Sequence, residues 1–358
     1  MKKMGKIISL ILALALISSL LLACSGNNAS DSSQSNVPVG GDGKFTVPVK
    51  KISDETLYTE GVYSYALYDD GTAIIVEHTG DEAEIVVPDM LGGYPVTTIA
   101  ADAFYGNLNA TSVKMGKNLE VIGASAFNGC IKLEKVEIPD TVWAIYPDAF
   151  IDTPWLNSLS DEFVIVGDGV LLKYNGNASK VVIPNTVKHL SNVFMGNEAI
   201  KDVTVPDSVY TIGAAAFSSS TVSRVQLGNN VMLLDDSSFA YCYNLHYINM
   251  PESLKIIESY AFMSCTGLNY LKLGKNLEEI RDYAFFRCSQ FNYLYMPKSL
   301  KLVGNFAFED CNYLTHVYYE GPEEEFAALG IDGKNSRLSD AKKFYNYDYS
   351  GGIYEAQQ

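Results

Sequence analysis

A phenylalanine returns about every 23 residues along most of this chain. It stands at positions 104, 127, 150, 194, 217, 239, 262, 285 and 308, so the steps are 23, 23, 44, 23, 22, 23, 23 and 23. Ala precedes it seven times, with Val193 and Ser238 as the exceptions. Cys130, Cys242, Cys265, Cys288 and Cys311 each lie three residues beyond one of these Phe. A fixed period of this length marks a repeat architecture, in which each unit buries its flanks against its neighbours.

Two further tracks share the period. One is Leu-x-x-Val-x-Ile-Pro or a near variant, as in Leu133-Val136-Ile138-Pro139, Leu245-Ile248-Met250-Pro251 and Leu268-Leu271-Leu273-Gly274. Its alternation predicts a short strand buried on one face, ended by Pro or Gly. The other is a pair of apolar residues just before the Ala-Phe, as in Val142/Ile145, Leu254/Ile257, Leu277/Ile280 and Leu300/Val303. The stretch through Ala-Phe-x-x-Cys reads as a tight helical turn. Burying about nine apolar side chains does not offset the entropy of ordering 23 residues, so a unit cannot stand alone and must stack.

These tracks resemble the BspA-type leucine-rich repeat family, with its Ile-Pro, Val-x-x-Ile-Gly, Ala-Phe and Cys pattern. The resemblance covers about residues 58 to 347. It implies a bacterial cell-surface solenoid, often concerned with adhesion or protein binding, and it implies no active site. The expected fold is therefore a β-rich repeat solenoid with short helical turns. It has about nine coils of ~23 residues over 99–320, interrupted by a hairpin insert at 153–184. In that insert "FVIV", a Gly-Asp-Gly turn and "VLLKY" read as the hairpin. Residues 51–98 read as an N-terminal β cap, with strand-like runs either side of Asp70-Gly71. Residues 321–358 read as a C-terminal cap and tail. There "GPEEEFAALG" has the marks of a short helix and "AKKFYNYDY" those of a last strand. The family usually carries Trp near Phe326, a departure that touches the cap and not the repeat. Both ends need covers, because a bare strand edge invites aggregation.

The first 24 residues read as an export signal. "MKKMGK" is basic, "IISLILALALISSLLL" is apolar, and the segment ends in "LLAC", Leu21 to Cys24. That ending resembles a bacterial lipobox. The resemblance implies removal of residues 1–23 and lipidation of Cys24, with the protein held on the outer face of the bacterial membrane. Residues 24–50, rich in Ser, Asn and Gly, read as a tether too polar to order itself. No LPxTG-like end is present, so lipid is the expected anchor.

Apolar residues make up 47% of the chain, enough for a sizeable core, and the formal charge is −16. Without Lys2, Lys3 and Lys6 the surplus of Asp and Glu grows further. So acidic a surface repels phosphate backbones and anionic lipid, which argues against nucleic acid as a partner and leaves the lipid anchor as the membrane contact.

Candidate chemistry is sparse. The five repeat thiols read as a buried column, with disulfide pairing or a metal as alternatives. His78, His189, His246 and His316 share no metal-ligand spacing. No HExxH, GxSxG, Walker A loop or GxGxxG occurs. Asp69-Asp70, Asp235-Asp236 and Glu323 to Glu325 read as turns and a helix start. Asp161, Asp168 and Gly169 lack EF-hand spacing. An enzyme would need an acid–base cluster in the 153–184 insert, and no cofactor is expected.

One surface stands out. The outward strand positions over the last four coils are Tyr247 and Asn249, Tyr270 and Lys272, Tyr293 and Tyr295, and His316 and Tyr318. Stacking is expected to align Tyr247, Tyr270, Tyr293 and His316 in one exposed column. Aromatic rings supply contact area at low entropic cost, so this column is the candidate contact for an extracellular protein or glycan. The competing reading is cross-strand stabilisation of the sheet itself. At the level of the whole protein, noncatalytic surface binding competes with a structural, envelope-organising role.

Overall fold

The structure is a computed structural model that describes residues 50–53, 56–331 and 333–348, with the backbone of two short strands at Val37–Pro38 and Thr46–Val47. The export signal, Cys24 and nearly all of the tether lie outside the described residues, as does the end of the tail. The described coils fall into two compact units that divide after Leu172.

In the first unit, Ala73–His78, Tyr94–Ile99, Val121–Ile122 and Ala144–Ile145 form one parallel ladder. Glu84–Val86, Ser112–Lys114 and Lys135–Glu137 form the other. Two antiparallel strands, Tyr58–Glu60 and Tyr63–Leu67, cover the open edge of Ala73–His78. In the second unit, ladder A runs through His189–Leu190, Thr211–Ile212, Leu233–Leu234, Ile256–Ile257, Glu279–Ile280 and Leu302–Val303. Ladder B comes in two pieces. The first is Lys180–Val182, Asp202–Thr204, Arg224–Gln226 and Tyr247–Ile248; the second is Tyr270–Lys272, Tyr293–Met296, His316–Tyr319 and Lys342–Phe344.

The architecture is a β-solenoid of about 12 turns with little helix. Counting marker Phe residues gave nine, because the turns entering through the N-terminal strands, crossing the 44-residue step and closing at Lys342–Phe344 carry no such Phe.

The marker Phe side chains form a buried stack within each unit. Ring centroids are 4.7 and 5.2 Å apart for Phe104, Phe127 and Phe150. From Phe194 through Phe308 they are 4.9–5.3 Å apart. These spacings match the distance between neighbouring strands, so the backbone repeat sets the stacking. Each stack has a distinct end. His78 lies on Phe104 at 4.8 Å and the Trp155 edge closes on Phe150 at 4.8 Å. In the second unit Tyr174 opens the stack on Phe194 at 5.4 Å.

Seven of the nine marker Phe N–H groups, all but those of Phe150 and Phe308, donate to a carbonyl of the next coil. Phe127 reaches Ala149 at 2.7 Å, Phe239 reaches Ala261 at 2.8 Å and Phe285 reaches Ala307 at 2.7 Å. Phe308 has no such coil after it. Its N–H donates instead to the Asn335 side-chain oxygen at 3.0 Å, and the Asn335 amide donates to the Gly304 carbonyl at 3.0 Å. Asn335 is buried, so one side chain terminates the backbone ladder.

One expectation needs correction here. The Ala-Phe-x-x-Cys segment is not a helical turn. Residues two before and two after the marker Phe take left-handed backbone, for example Ser125 (φ 54°) and Gly129 (φ 73°), or Ser237 (φ 55°) and Tyr241 (φ 60°). A left-handed residue interrupts the helical hydrogen-bond series, so alternate amides, such as those of Ser125, Phe127 and Gly129, turn toward the neighbouring coil while those of Ala126, Asn128 and Cys130 close local turns. The thiols form a buried column and also make hydrogen bonds. Cys130, Cys242, Cys265, Cys288 and Cys311 are free and buried. Each S–H donates to the carbonyl of the marker Phe one coil earlier, at 3.0–3.3 Å.

The expected hairpin appears as Phe163–Val166 and Val170–Tyr174. A five-residue helix before it, Pro154–Ser158, was not foreseen; its signal is Thr153-Pro154, a capping residue followed by Pro at the first position. The helix expected after Pro322 spans Glu323–Ala328 with three acids in its first turn. Phe326 on this helix packs edge-on against Tyr319 at 5.3 Å. Among the described residues no helix is long and apolar enough to cross a membrane.

Burial pushes the Cys242 thiol up to about 11 and those of Cys265 and Cys311 well above the ordinary value. The five column thiols should therefore resist a disulfide-exchange reagent at pH 8 in the native protein and all react after unfolding in denaturant. Rapid native labelling, or fewer than five column thiols after unfolding without reductant, would contradict the packing. Asn335→Leu leaves the Phe308 N–H buried without an acceptor and should cost about 1–3 kcal/mol in denaturant titration; an unchanged midpoint would contradict the capping role.

Candidate partner-binding surface

Strand positions in the second unit alternate between the interior and the outer face. Leu271, Leu294 and Val317 point inward and are buried. Their neighbours face out, and the register aligns Tyr270, Tyr293 and His316 in one row. All three are half-buried. The Tyr293 and His316 rings lie 5.3 Å apart.

Tyr247 does not join this row. It pairs in register with Arg224, and the guanidinium lies over its ring at 3.9 Å. Between Tyr247–Ile248 and Tyr270–Lys272 ladder B is interrupted, so the expected four-membered column is really three plus one. Tyr295 and Tyr318 also depart from expectation, being buried rather than exposed. Their rings stack at 4.8 Å, Phe344 extends the stack at 4.9 Å, and Tyr347 folds over both at 5.5 and 5.0 Å. Burial, with the neighbouring Tyr347, pushes the Tyr295 hydroxyl up to about 12. These two tyrosines dock the C-terminal strand and are unavailable to a partner. The sequence suggested that strand but not the fold-back of Tyr347.

A surface cleft of about 470 Å³ lies at the interruption. Ile248, Leu271 and Leu273 line it, Tyr247 and Tyr270 flank it, and Glu252, Lys272 and Lys275 bring charge. On the side facing the preceding coil, Asn249 alters the pairing. Elsewhere the residue after the strand donates its N–H to a backbone carbonyl of the next coil, as Val205 does to Gln226 and Leu273 to Tyr295. Leu227 donates instead to the Asn249 side-chain oxygen at 2.6 Å, while the Asn249 amide donates back to the Leu227 carbonyl at 2.9 Å. With its side chain occupying that position, strand Tyr247–Ile248 stops at two residues.

A second aromatic strip went unread. Tyr260, Tyr283 and Phe306 stack at 5.1 and 5.0 Å, each two residues before a marker Phe and each with φ of 58–60°. Bulky residues rarely take that conformation. The available signal was the same aromatic offset in three successive repeats. The rings face one another, so mainly their edges meet solvent.

Beside this strip runs a polar seam. Gly213 and Gly304 occupy a position where a Cβ would meet the preceding coil's backbone, at 2.0 and 2.5 Å. The three coils between them carry Asp235, Glu258 and Arg281 there. Glu258 is buried, and the Arg281 Nε lies 3.9 Å away; the Arg281 guanidinium also pairs with Glu279 at 2.5 Å. Desolvation pushes the Glu258 carboxyl up to about 8, against the opposing pull of Arg281, and pushes Asp235 up to about 7. The seam sits inside the stack, where it sets stability.

In the first unit, an apolar groove of about 680 Å³ follows strand Lys135–Glu137. Val136, Ile138, Trp155, Leu159 and Val166 line it, with Lys114, Lys117 and Glu137 also at its walls. Glu137 pairs with Lys135 at 3.4 Å and Lys114 at 3.8 Å. Among the described residues no group of three His, Cys, Asp or Glu is placed to hold a metal ion.

Residues 97–223 and 188–315 match the family described as the BspA type leucine rich repeat region, in six copies. No curated protein matches the chain. Similar solved structures include a leucine rich cell surface protein from Faecalibacterium prausnitzii A2-165, 20% identical, covering 78% of this chain and 99% of that one, with a TM-score of 0.39. A leucine-rich repeat protein from Bacteroides ovatus ATCC 8483 is 18% identical and covers 80% and 99%, with a TM-score of 0.41. A leucine-rich repeat protein of T. pallidum is 23% identical and covers 76% and 94%, with a TM-score of 0.31.

The seam generates a pH prediction. A carboxyl whose folded value is raised from 4.5 to about 8 contributes stability that is complete below 4.5 and lost as pH rises toward 8. Asp235 acts in the same direction, from 3.8 to about 7. The thermal midpoint should fall between pH 5 and 8.5, and Glu258→Gln should flatten that fall. A difference curve between the two proteins that is level, or rises with pH, would contradict the placement of Glu258.

Proposed function

The chain belongs to the BspA-type leucine-rich repeat family, and from that premise we propose that it is a noncatalytic binding protein of the bacterial cell exterior. The repeats spend their inward positions on a common interior and leave the outward strand positions free to vary. Lys135 and Glu137 occupy them in one coil, Asp202 and Thr204 in another, Arg224 and Gln226 in a third. The observation that carries the reading is the aligned, half-buried row Tyr270, Tyr293 and His316 beside Lys272. A rigid row of amphipathic rings with a cation at its edge suits an extracellular protein partner, with a glycan as the other candidate.

The "LLAC" stretch supports lipidation at Cys24, with residues 24–50 as the tether. The cell-surface description of the F. prausnitzii protein is consistent with that placement. The acidic charge argues against nucleic-acid partners.

Affinity capture with the full chain, from extracts of the producing cell's envelope and from host or matrix material, should recover a partner from the second source. Replacing both Tyr270 and Tyr293 by Ser should abolish capture while the thermal midpoint moves little. Capture from the cell's own envelope alone would favour an envelope-organising role. Lost stability with capture intact would assign the row to the sheet and defeat the reading.

A further inference from the structure

We infer that the apolar groove of the first unit is a binding site for an alkyl carboxylate, a flexible apolar chain ending in one acid group. The inference goes beyond the proposed function and does not rest on the row Tyr270, Tyr293 and His316.

The groove exists because an interior stretch of the repeat is left uncovered. Val113 and Met115 take inward positions at strand Ser112–Lys114, and both are buried. Val136 and Ile138 take the same positions one coil later and are only half-buried. The chain that follows touches this coil on either side of them. The Trp155 N–H donates to the Leu133 carbonyl at 2.8 Å, and the Asp168 N–H donates to the Val142 carbonyl at 2.8 Å. Between Trp155 and Asp168 the backbone detours through the rest of helix Pro154–Ser158 and strand Phe163–Val166. The detour leaves a space of about 680 Å³, within the size range of small-molecule sites. The two backbone contacts pin the chain on both sides of strand Lys135–Glu137, which leaves no passage for an added strand and suits a short ligand.

The lining selects that ligand. Val136, Ile138, Leu159 and Val166 are aliphatic, and the one ring, Trp155, is already packed edge-on against Phe150 at 4.8 Å. An alkyl chain therefore fits better than a planar ring, and covering these side chains removes apolar surface from water. Lys114, Lys117 and Glu137 also stand at the walls. Lys114 and Lys135 share Glu137, at 3.8 and 3.4 Å, and Lys117 pairs with Asp89 at 3.2 Å. Three cations thus face two carboxylates, a local basic surplus in a chain of net charge −16. These pairs are solvent-accessible and hold their partners weakly, so a carboxylate anchored by its own chain can join them. A bare anion lacks that anchor.

The test is calorimetric titration of the full chain with decanoate below its micellar concentration. One decanoate should bind per chain. 1-Decanol, with the same chain and no charge, should bind about tenfold more weakly. Replacing both lysines, Lys114→Gln with Lys117→Gln, should weaken decanoate about tenfold and leave decanol unchanged. Trp143 and Trp155 are the two tryptophans, so in a folded Trp143→Phe variant the emission comes from Trp155 and should change over the same decanoate concentrations. The inference is overturned if decanoate does not bind saturably or if several molecules bind per chain. It is equally overturned if decanol binds as tightly as decanoate, if the double lysine variant binds decanoate as the parent does, or if the Trp155 emission does not move. Partner capture that survives any of these failures leaves the proposed function standing without this ligand.

Discussion

The spacing between successive coils governs everything else in this protein. Backbone bonds from seven of the marker Phe residues to a carbonyl of the next coil hold the coils one strand-width apart. At that spacing the Phe rings stack, and each thiol reaches the carbonyl of the Phe in the coil before it. The left-handed residues flanking the Phe make this possible by turning the segment across the stack instead of along a helix. A local conformational cost of roughly 1–2 kcal/mol at each non-glycine left-handed residue is thus offset by a bond that recurs in most coils.

Specialisation lies where that regular spacing is altered by a side chain. Asn335 and Asn249 each put a side-chain amide where a backbone group of the next coil would be. At Asn335 the substitution ends the stack, under a cap that packs Phe344 and Tyr347 against Tyr318. At Asn249 the stack continues and the strand pairing with the preceding coil ends after two residues. The same chemistry therefore yields a terminus in one place and a shortened strand in the other, depending on whether another coil follows. The seam of Asp235, Glu258 and Arg281 is a third alteration, placing charge where neighbouring coils need glycine.

The period carried most of the fold. A Phe and a Cys repeated at one interval must occupy equivalent places, so the columns, the strands and the need for end caps were legible from spacing alone. The left-handed turns were not, because Ser125, Tyr241 and Arg287 have no common side-chain chemistry that announces a positive φ. The binding surface was only partly legible. Alternation placed Tyr270, Tyr293 and His316 correctly on the outer face. It could not show that Tyr347, some 30 residues beyond His316 in the chain, returns to bury Tyr295 and Tyr318. Nor could it show that Asn249 trades its backbone pairing for a side-chain one, because Asn suits an outward strand position equally well in either role.

The most direct test of this account is residue-resolved amide exchange of the native chain, read at Phe127, Phe217, Phe239, Phe262 and Phe285. If the bond from these marker Phe residues to the next coil is what sets the repeat, these amides should be among the slowest to exchange in their units and should be released together on global unfolding. Exchange at these five positions as fast as in the exposed turns, or at unrelated rates from coil to coil, would contradict it.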